Sequence, residues 1–386
     1  MNTKTQDTFL HLVRLGIGNV HDNDKLYLDR VVDWEAVLAL AERQGLSAVV
    51  ADGIDSLRLK GLGAYCPPKP VMLQLIGSVL QNYENRHELY RRAIAELAGF
   101  YNSHGFKMMV LKGYACAMDW PKPEHRPSGD IDIWLFGQQK EADAVLSHTD
   151  ITDNTEKVAC SSKSDKNLYR RQIEIDNSHH HHTVFDWCGF SVENHYDFVN
   201  VYAHKSSAEL EKVFKELGTD DSHSVEVLGE EVYVPSSNLH ALFLIRHMVS
   251  HFAAAEITLR QVLDWAFFVE KHTKEVDWNW LVNLLDKYHM KDFFNLINAI
   301  CVEDLGFPIG IFPDVRFVPE LKERVLEDIL DPKYTAAEPK GFIPRVIFRY
   351  KRWQGNAWKQ EMCYGESRWS AFWSGIWAKI LKPASI

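Results

Sequence analysis

Apolar positions along the chain change period twice. Up to about residue 104 they recur at helical spacing. In DWEAVLALAERQGLSAVVADGI (33–54), Trp34, Val37, Leu38, Leu40 and Ala41 form one stripe, and Gly45 reads as a stop between two helices. Pro68 and Pro70 mark a loop. A long amphipathic helix is expected from Val71 to about His104, carried by Met72, Leu75, Ile76, Val79, Leu80, Tyr83, Leu89, Ile94 and Leu97. From Gly105 the period shortens. FKMMVLKG (106–113) is an apolar β-type run ending in glycine, YACAMDW (114–120) a helical turn or two, and PKPEHRPSG (121–129) a loop with three prolines. DIDIWLF (130–136) alternates acid and apolar at period two, the mark of a strand with two carboxylates on one face. QQKEADAVLSH (138–148) reads as a helix, and 150–181 is polar without a clear pattern. TVFDW (183–187) and FSVENHYDF (190–198) read as a hairpin turning at Cys188-Gly189, and SVEVLGEEVYVP (224–235) as another turning at Gly229, with a helix at 208–217 between them. Beyond 238 the helical period returns, with two helices in 238–272 and further ones over 278–290 and 291–306. The expected class is α+β, a small mixed sheet flanked by N- and C-terminal helical regions. The expected divisions are 1–104, 105–235, 236–335 and a tail at 336–386.

Composition narrows the class. The 386 residues are 46% hydrophobic and 25% charged, which excludes disordered and fibrous chains. No apolar run is long enough to span a bilayer, so no transmembrane segment is expected, and the N-terminus lacks the pattern of a secretory signal. Six scattered cysteines with no CxxC pair argue against a disulfide scaffold or cysteine zinc site and fit a cytoplasmic protein. The net charge of −10 conceals an asymmetry: residues 340–386 carry nine Lys/Arg against two acids, with ten aromatics among residues 342–383, leaving −17 on the remainder. Three roles compete for that tail. In order of preference they are packing on the body, contact with an anionic membrane surface and nucleic-acid binding, the last disfavoured by the acidic body.

The chemistry concentrates in LKGYACAMDWPKPEHRPSGDIDIW (111–134). Asp130 and Asp132, two apart in a strand, repel each other unless a cation lies between them, and hard oxygen donors suit Mg²⁺ (or Mn²⁺). A strand–Gly113–helix junction presents backbone N–H groups to a phosphate, with Lys112 beside it and Arg126 four residues before Asp130. A third carboxylate is supplied by Glu193, which alternates with His195 and Asp197 in a strand able to lie next to 130–136. A solvated strand face, a cross-strand ion pair and surface salt bridges are the ordinary alternatives for the Asp pair, for Glu193 and for Lys112 and Arg126 respectively.

LKG, a helix, an arginine, GDIDIW and a later acid together resemble the DNA polymerase β-like nucleotidyltransferase superfamily. More closely, they resemble its bacterial family of uncharacterised nucleotidyltransferases. The early tryptophan helix, the strand Glu193-Asn194-His195-Tyr196 and LRQVLDWAFF (259–268) extend the resemblance over about residues 30–270. It implies a polymerase β-like core and transfer of a nucleoside monophosphate from an NTP such as ATP. Asp130, Asp132 and Glu193 would be catalytic and metal-binding, and Lys112, Gly113, Tyr114 and Arg126 would line the nucleotide. The acceptor stays open among a small molecule, a sugar, a protein and an RNA end. The superfamily usually has Gly-Ser or Gly-Gly where this chain has Gly113-Tyr114, which removes one expected phosphate contact. A non-catalytic binding scaffold, associated with a membrane surface through its tail, is the alternative.

The remaining motifs read more plainly. His195 is expected to orient Glu193 rather than bind metal. HHHH at 179–182 is expected to have adventitious metal affinity only, because ring faces alternate along a strand. HMVSH (247–251) lacks the glutamate of a zinc protease motif, and Arg260 and Asp264 read as a pair on one helix, near an acceptor cleft if the resemblance holds.

Overall fold

The computed structural model describes residues 3–19, 32–148, 173–201, 204, 206–333 and 339–365. In chain order its helices are α1 (Thr3–Ile17), α2 (Trp34–Arg43), α3 (Ser47–Leu59), α4 (Lys69–Val79), α5 (Asn85–Ser103), α6 (Tyr114–Ala117) and α7 (Gln139–His148). They continue with α8 (Ser207–Leu217), α9 (Ser237–Ala254), α10 (Leu259–His272), α11 (Trp278–Lys287), α12 (Lys291–Glu303), α13 (Pro319–Leu330) and α14 (Phe342–Tyr364). The strands are β1 (Met109–Val110), β2 (Ile131–Trp134), β3 (His182–Trp187), β4 (Phe190–His195), β5 (Ser224–Val227) and β6 (Glu230–Tyr233). The protein is thus α+β with a mixed sheet. It divides into two compact units, each discontinuous in sequence: one from the described residues of 3–84, 119–127 and 244–365, the other from those of 85–118 and 128–243.

The first unit is helical. Asp33 caps α2 by accepting from the Ala36 amide at 3.0 Å, and Asp277 caps α11 by accepting from Trp280. Thr258 and Gln261 form a reciprocal capping box on α10. Gly45 ends α2 with a φ of +69°, as its position after the apolar stripe requires. Gln44 is buried and fully used: its Oε1 accepts from the Leu259 amide and its Nε2 donates to the Ile329 carbonyl, both at 2.7 Å. The core gathers Phe252, Leu263, Trp265, Phe293, Phe294 and Ile297. α14 is split along its length. Ala357, Lys359, Cys363 and Tyr364 are buried, whereas Phe342, Ile343, Val346, Ile347 and Tyr350 are exposed.

The second unit is built on a six-stranded sheet in the order β3-β4-β2-β1-β6-β5. β4 and β2 are parallel, as are β1 and β6, and the other neighbours are antiparallel. Both hairpins turn on two residues of positive φ, Cys188-Gly189 and Leu228-Gly229, the primed geometry that matches strand twist. Ile131, Ile133, Phe185, Phe190, Val192 and Val232 pack with Tyr90, Ile94, Leu97 and Tyr101 of α5. The expected continuous helix over 71–104 is two helices, α4 and α5, joined by a wide π-type turn at Leu80–Glu84. The expected strand at 106–113 pairs only over Met109–Val110, although the Leu111 amide still donates to the Asp132 carbonyl at 3.0 Å. No helix among the described residues is long and apolar enough to cross a membrane.

Candidate functional site

The site grows from the alternation of β2 and β4. Ile131 and Ile133 take the core face of β2, so Asp132 between them takes the opposite face. In β4, Phe190 and Val192 are core, and Glu193 and His195 share the face of Asp132. The parallel register sets Asp132 opposite Glu193 and Trp134 opposite His195. His195 Nε2 then lies 3.4 Å from Asp132 Oδ1 and 3.8 Å from Glu193 Oε2. These three side chains can bring one ligand atom each within 4.8 Å of one another.

Asp130 precedes β2 and is held by its backbone. The Tyr90 hydroxyl donates to the Asp130 carbonyl at 2.8 Å, and Arg86, one turn earlier on α5, donates to the Ser128 carbonyl at the same distance. Lys112 joins the two aspartates, its Nζ 3.1 Å from Asp132 Oδ1 and 3.6 Å from Asp130 Oδ2. The Asp132 side chain is 1% exposed, that of Asp130 44% and that of Glu193 27%, so the cluster has a buried floor and an open side.

Gly113 is fixed by two constraints. Its φ is +63°, and a Cβ there would stand 2.3 Å from the Tyr90 hydroxyl. The same tyrosine therefore positions Asp130 and excludes a side chain at 113. Nothing in the sequence singles out Tyr90, which falls on the core stripe of a helix. α6 after Gly113 is a single turn, so little helix dipole builds up there for a phosphate. The Tyr114 ring packs half-buried against the core, stacked near His87 at 6.4 Å between centroids.

Electrostatics mark the same residues. Burial opposes the charge on Lys112, but Asp132, Asp130 and Glu193 outweigh it and raise its pKa. Burial first, and the Asp132 charge second, push the Glu193 carboxyl up to about 7, with Lys112 and His195 pulling it back. Three carboxyl groups face one ammonium here.

Residues 30–306 match the family of uncharacterised nucleotidyltransferases. The chain belongs to this family. No curated protein and no solved structure shows significant similarity to it.

Arg126 has different company. Its Nε and Nη2 donate to Asp264 Oδ1 and Oδ2 at 2.7 and 2.9 Å, and the Trp120 indole N–H donates to Oδ1 at 2.9 Å. This buried fork lies within the helical unit and fixes the 119–127 loop on α10. Asp264 pairs with Arg126 across this loop, a partner that the i, i+4 spacing to Arg260 does not disclose. Below the sheet, Asn194 and Thr183 each donate to Asp143 at 2.8 Å, tying β3 and β4 to α7.

The histidine run departs from its expected alternation. His182 opens β3 and sits opposite His195, while His181 lies just before the strand, its carbonyl accepting from the Tyr196 and Asp197 amides. The two rings meet at 4.3 Å between centroids, and both lie within 5.5 Å of the His195 ring.

Proposed function

We propose that the β2–β4 face is the centre of a nucleotidyl transfer from an NTP to an acceptor hydroxyl or similar nucleophile, within a polymerase β-like core. The observation that carries it is the register of Asp132 opposite Glu193, with Asp130 and Lys112 adjoining, in a chain of the nucleotidyltransferase family. Carboxylate oxygens with one open side suit a hard divalent cation. Asp130, Asp132 and Glu193 would hold Mg²⁺ or Mn²⁺, which when bound supplies charge neutralisation for the reacting phosphates.

The protein groups divide the remaining work. Glu193 would serve either as the third metal ligand or, in place of that, as the base that takes the proton of the attacking group. Lys112 supplies positive charge to the triphosphate, alongside the Gly113-Tyr114 backbone. His195 orients Glu193 and Asp132. Arg126 would reach a phosphate only by releasing Asp264, which takes the Nε–Nη2 edge of its guanidinium.

Calorimetric titration of ATP, GTP, CTP and UTP, with and without Mg²⁺, tests this. Mg²⁺-dependent binding of one NTP by wild type, lost in Asp130→Asn/Asp132→Asn, is the expected result. Absence of binding to all four in folded protein would favour the scaffold reading, in which Lys112 permanently takes the cation's place between the aspartates.

A second observation concerns partners. Phe342, Ile343, Val346, Ile347 and Tyr350 form an exposed stripe on α14 beside Arg345, Arg349, Lys351 and Arg352. An apolar stripe bordered by cations suits the surface of an anionic bilayer.

A further inference from the structure

We propose that His181, His182 and His195 form a binding site for a first-row transition ion of the Zn²⁺ class, separate in chemistry from the hard-cation site and linked to it through His195. The three imidazoles can each bring a nitrogen within 4.8 Å of the others. Zinc–nitrogen bonds are about 2.0–2.1 Å, so rotamer adjustments of about an ångström close the set. Imidazole nitrogens select Zn²⁺, Co²⁺ or Ni²⁺ over Mg²⁺, which keeps oxygen ligands.

Three features distinguish this cluster from a flexible histidine tract. The His181 backbone is anchored by two hydrogen bonds from the Tyr196 and Asp197 amides, at 3.0 and 3.1 Å. His182 and His195 are cross-strand partners, both buried, at 5.2 Å between ring centroids. His195 Nδ1 lies 3.2 Å from the Asp197 carbonyl, a second contact that orients its ring. An anionic donor is also at hand: Glu193 Oε2 stands 4.0 Å from His182 Nδ1 and 3.8 Å from His195 Nε2. Three imidazoles fill three positions of a tetrahedral zinc site and leave the fourth open.

His195 also faces Asp132, so an ion bound by the histidines competes with the carboxylate cluster for that ring. The binding claim itself does not depend on nucleotidyl transfer.

Chelator-stripped full-length protein, free of any added tag, would be titrated with Co²⁺ and followed by visible absorption, then challenged with Zn²⁺ and with excess Mg²⁺. One Co²⁺ should bind with a tetrahedral spectrum and be displaced by Zn²⁺ but not by Mg²⁺. His181→Ala/His182→Ala should weaken Co²⁺ at least about tenfold, while His179→Ala/His180→Ala should leave it within about twofold. Circular dichroism would confirm that the variants are folded. If the first variant is not, His181→Gln, which lies outside β3, replaces it. Absence of Co²⁺ binding in folded wild type would overturn the proposal. So would a loss that follows residues 179 and 180, which marks an adventitious chelator. Displacement by Mg²⁺ would place the ion on the carboxylates and would overturn it equally, leaving the nucleotidyl reading intact.

Discussion

Gly113 and Tyr90 define the residue scale. A side chain at 113 meets both a positive φ and a hydroxyl 2.3 Å away. Gly113→Ala is therefore expected to destabilise the sheet-bearing unit by about 2–4 kcal/mol, measured by urea denaturation. Tyr90→Phe alone removes the hydrogen bond to the Asp130 carbonyl and should cost about 1 kcal/mol. Combined, the two should cost less than their sum, because the hydroxyl that clashes is gone; strict additivity would refute the contact. Asp264 is the second case. Removing it leaves the Arg126 guanidinium buried without its partner, so Asp264→Ala should lose about 3–5 kcal/mol in thermal denaturation. Arg126→Met/Asp264→Leu should be milder than Asp264→Ala, since no charge is then left behind.

Elements add constraints that no single residue carries. α14 is half core and half surface, so removing 340–386 deletes buried Lys359, Cys363 and Tyr364 with the exposed stripe. Lys359 illustrates the cost: its ammonium donates to Asp328 and to the Ala255 carbonyl, and burial lowers its pKa in spite of Asp328. The deletion is expected to lower the melting temperature. Ile343→Glu/Ile347→Glu should leave melting unchanged while reducing co-sedimentation with anionic vesicles several-fold. Unaltered co-sedimentation would dismiss the membrane reading of this helix. The β2–β4 pair is the other decisive element. Its parallel register, rather than either strand alone, brings Glu193 to Asp132.

At the scale of the whole molecule, stability responds to buried carboxyls. Glu211 accepts from the Phe198 and Val199 amides at 3.1 and 3.0 Å, yet burial pushes its carboxyl from 4.5 up to about 7. The folded state thus holds a proton that the unfolded chain releases between pH 4.5 and 7. Its contribution is present in full below the unfolded value and is lost as pH rises through about 7, on the order of 3 kcal/mol. Glu211→Gln should flatten that part of the profile when urea midpoints are compared at several pH values. A slope unchanged in the variant would assign the effect elsewhere. What the sequence determined by itself is local. Period-two alternation marked a strand at 130–136, of which β2 covers Ile131–Trp134 and leaves Asp130 just before it, glycines at 45, 189 and 229 marked the turns, and helical stripes placed α2, α7, α8 and α10. These follow from backbone sterics and nearest-neighbour spacing, which act within a few residues. Tertiary structure alone decided the partners: Lys112 between two aspartates, Arg126 on Asp264, Tyr90 beneath Gly113 and two histidines turned towards a third. Such pairings depend on strand register and helix docking between segments up to 138 residues apart, for which neither periodicity nor spacing carries a signal.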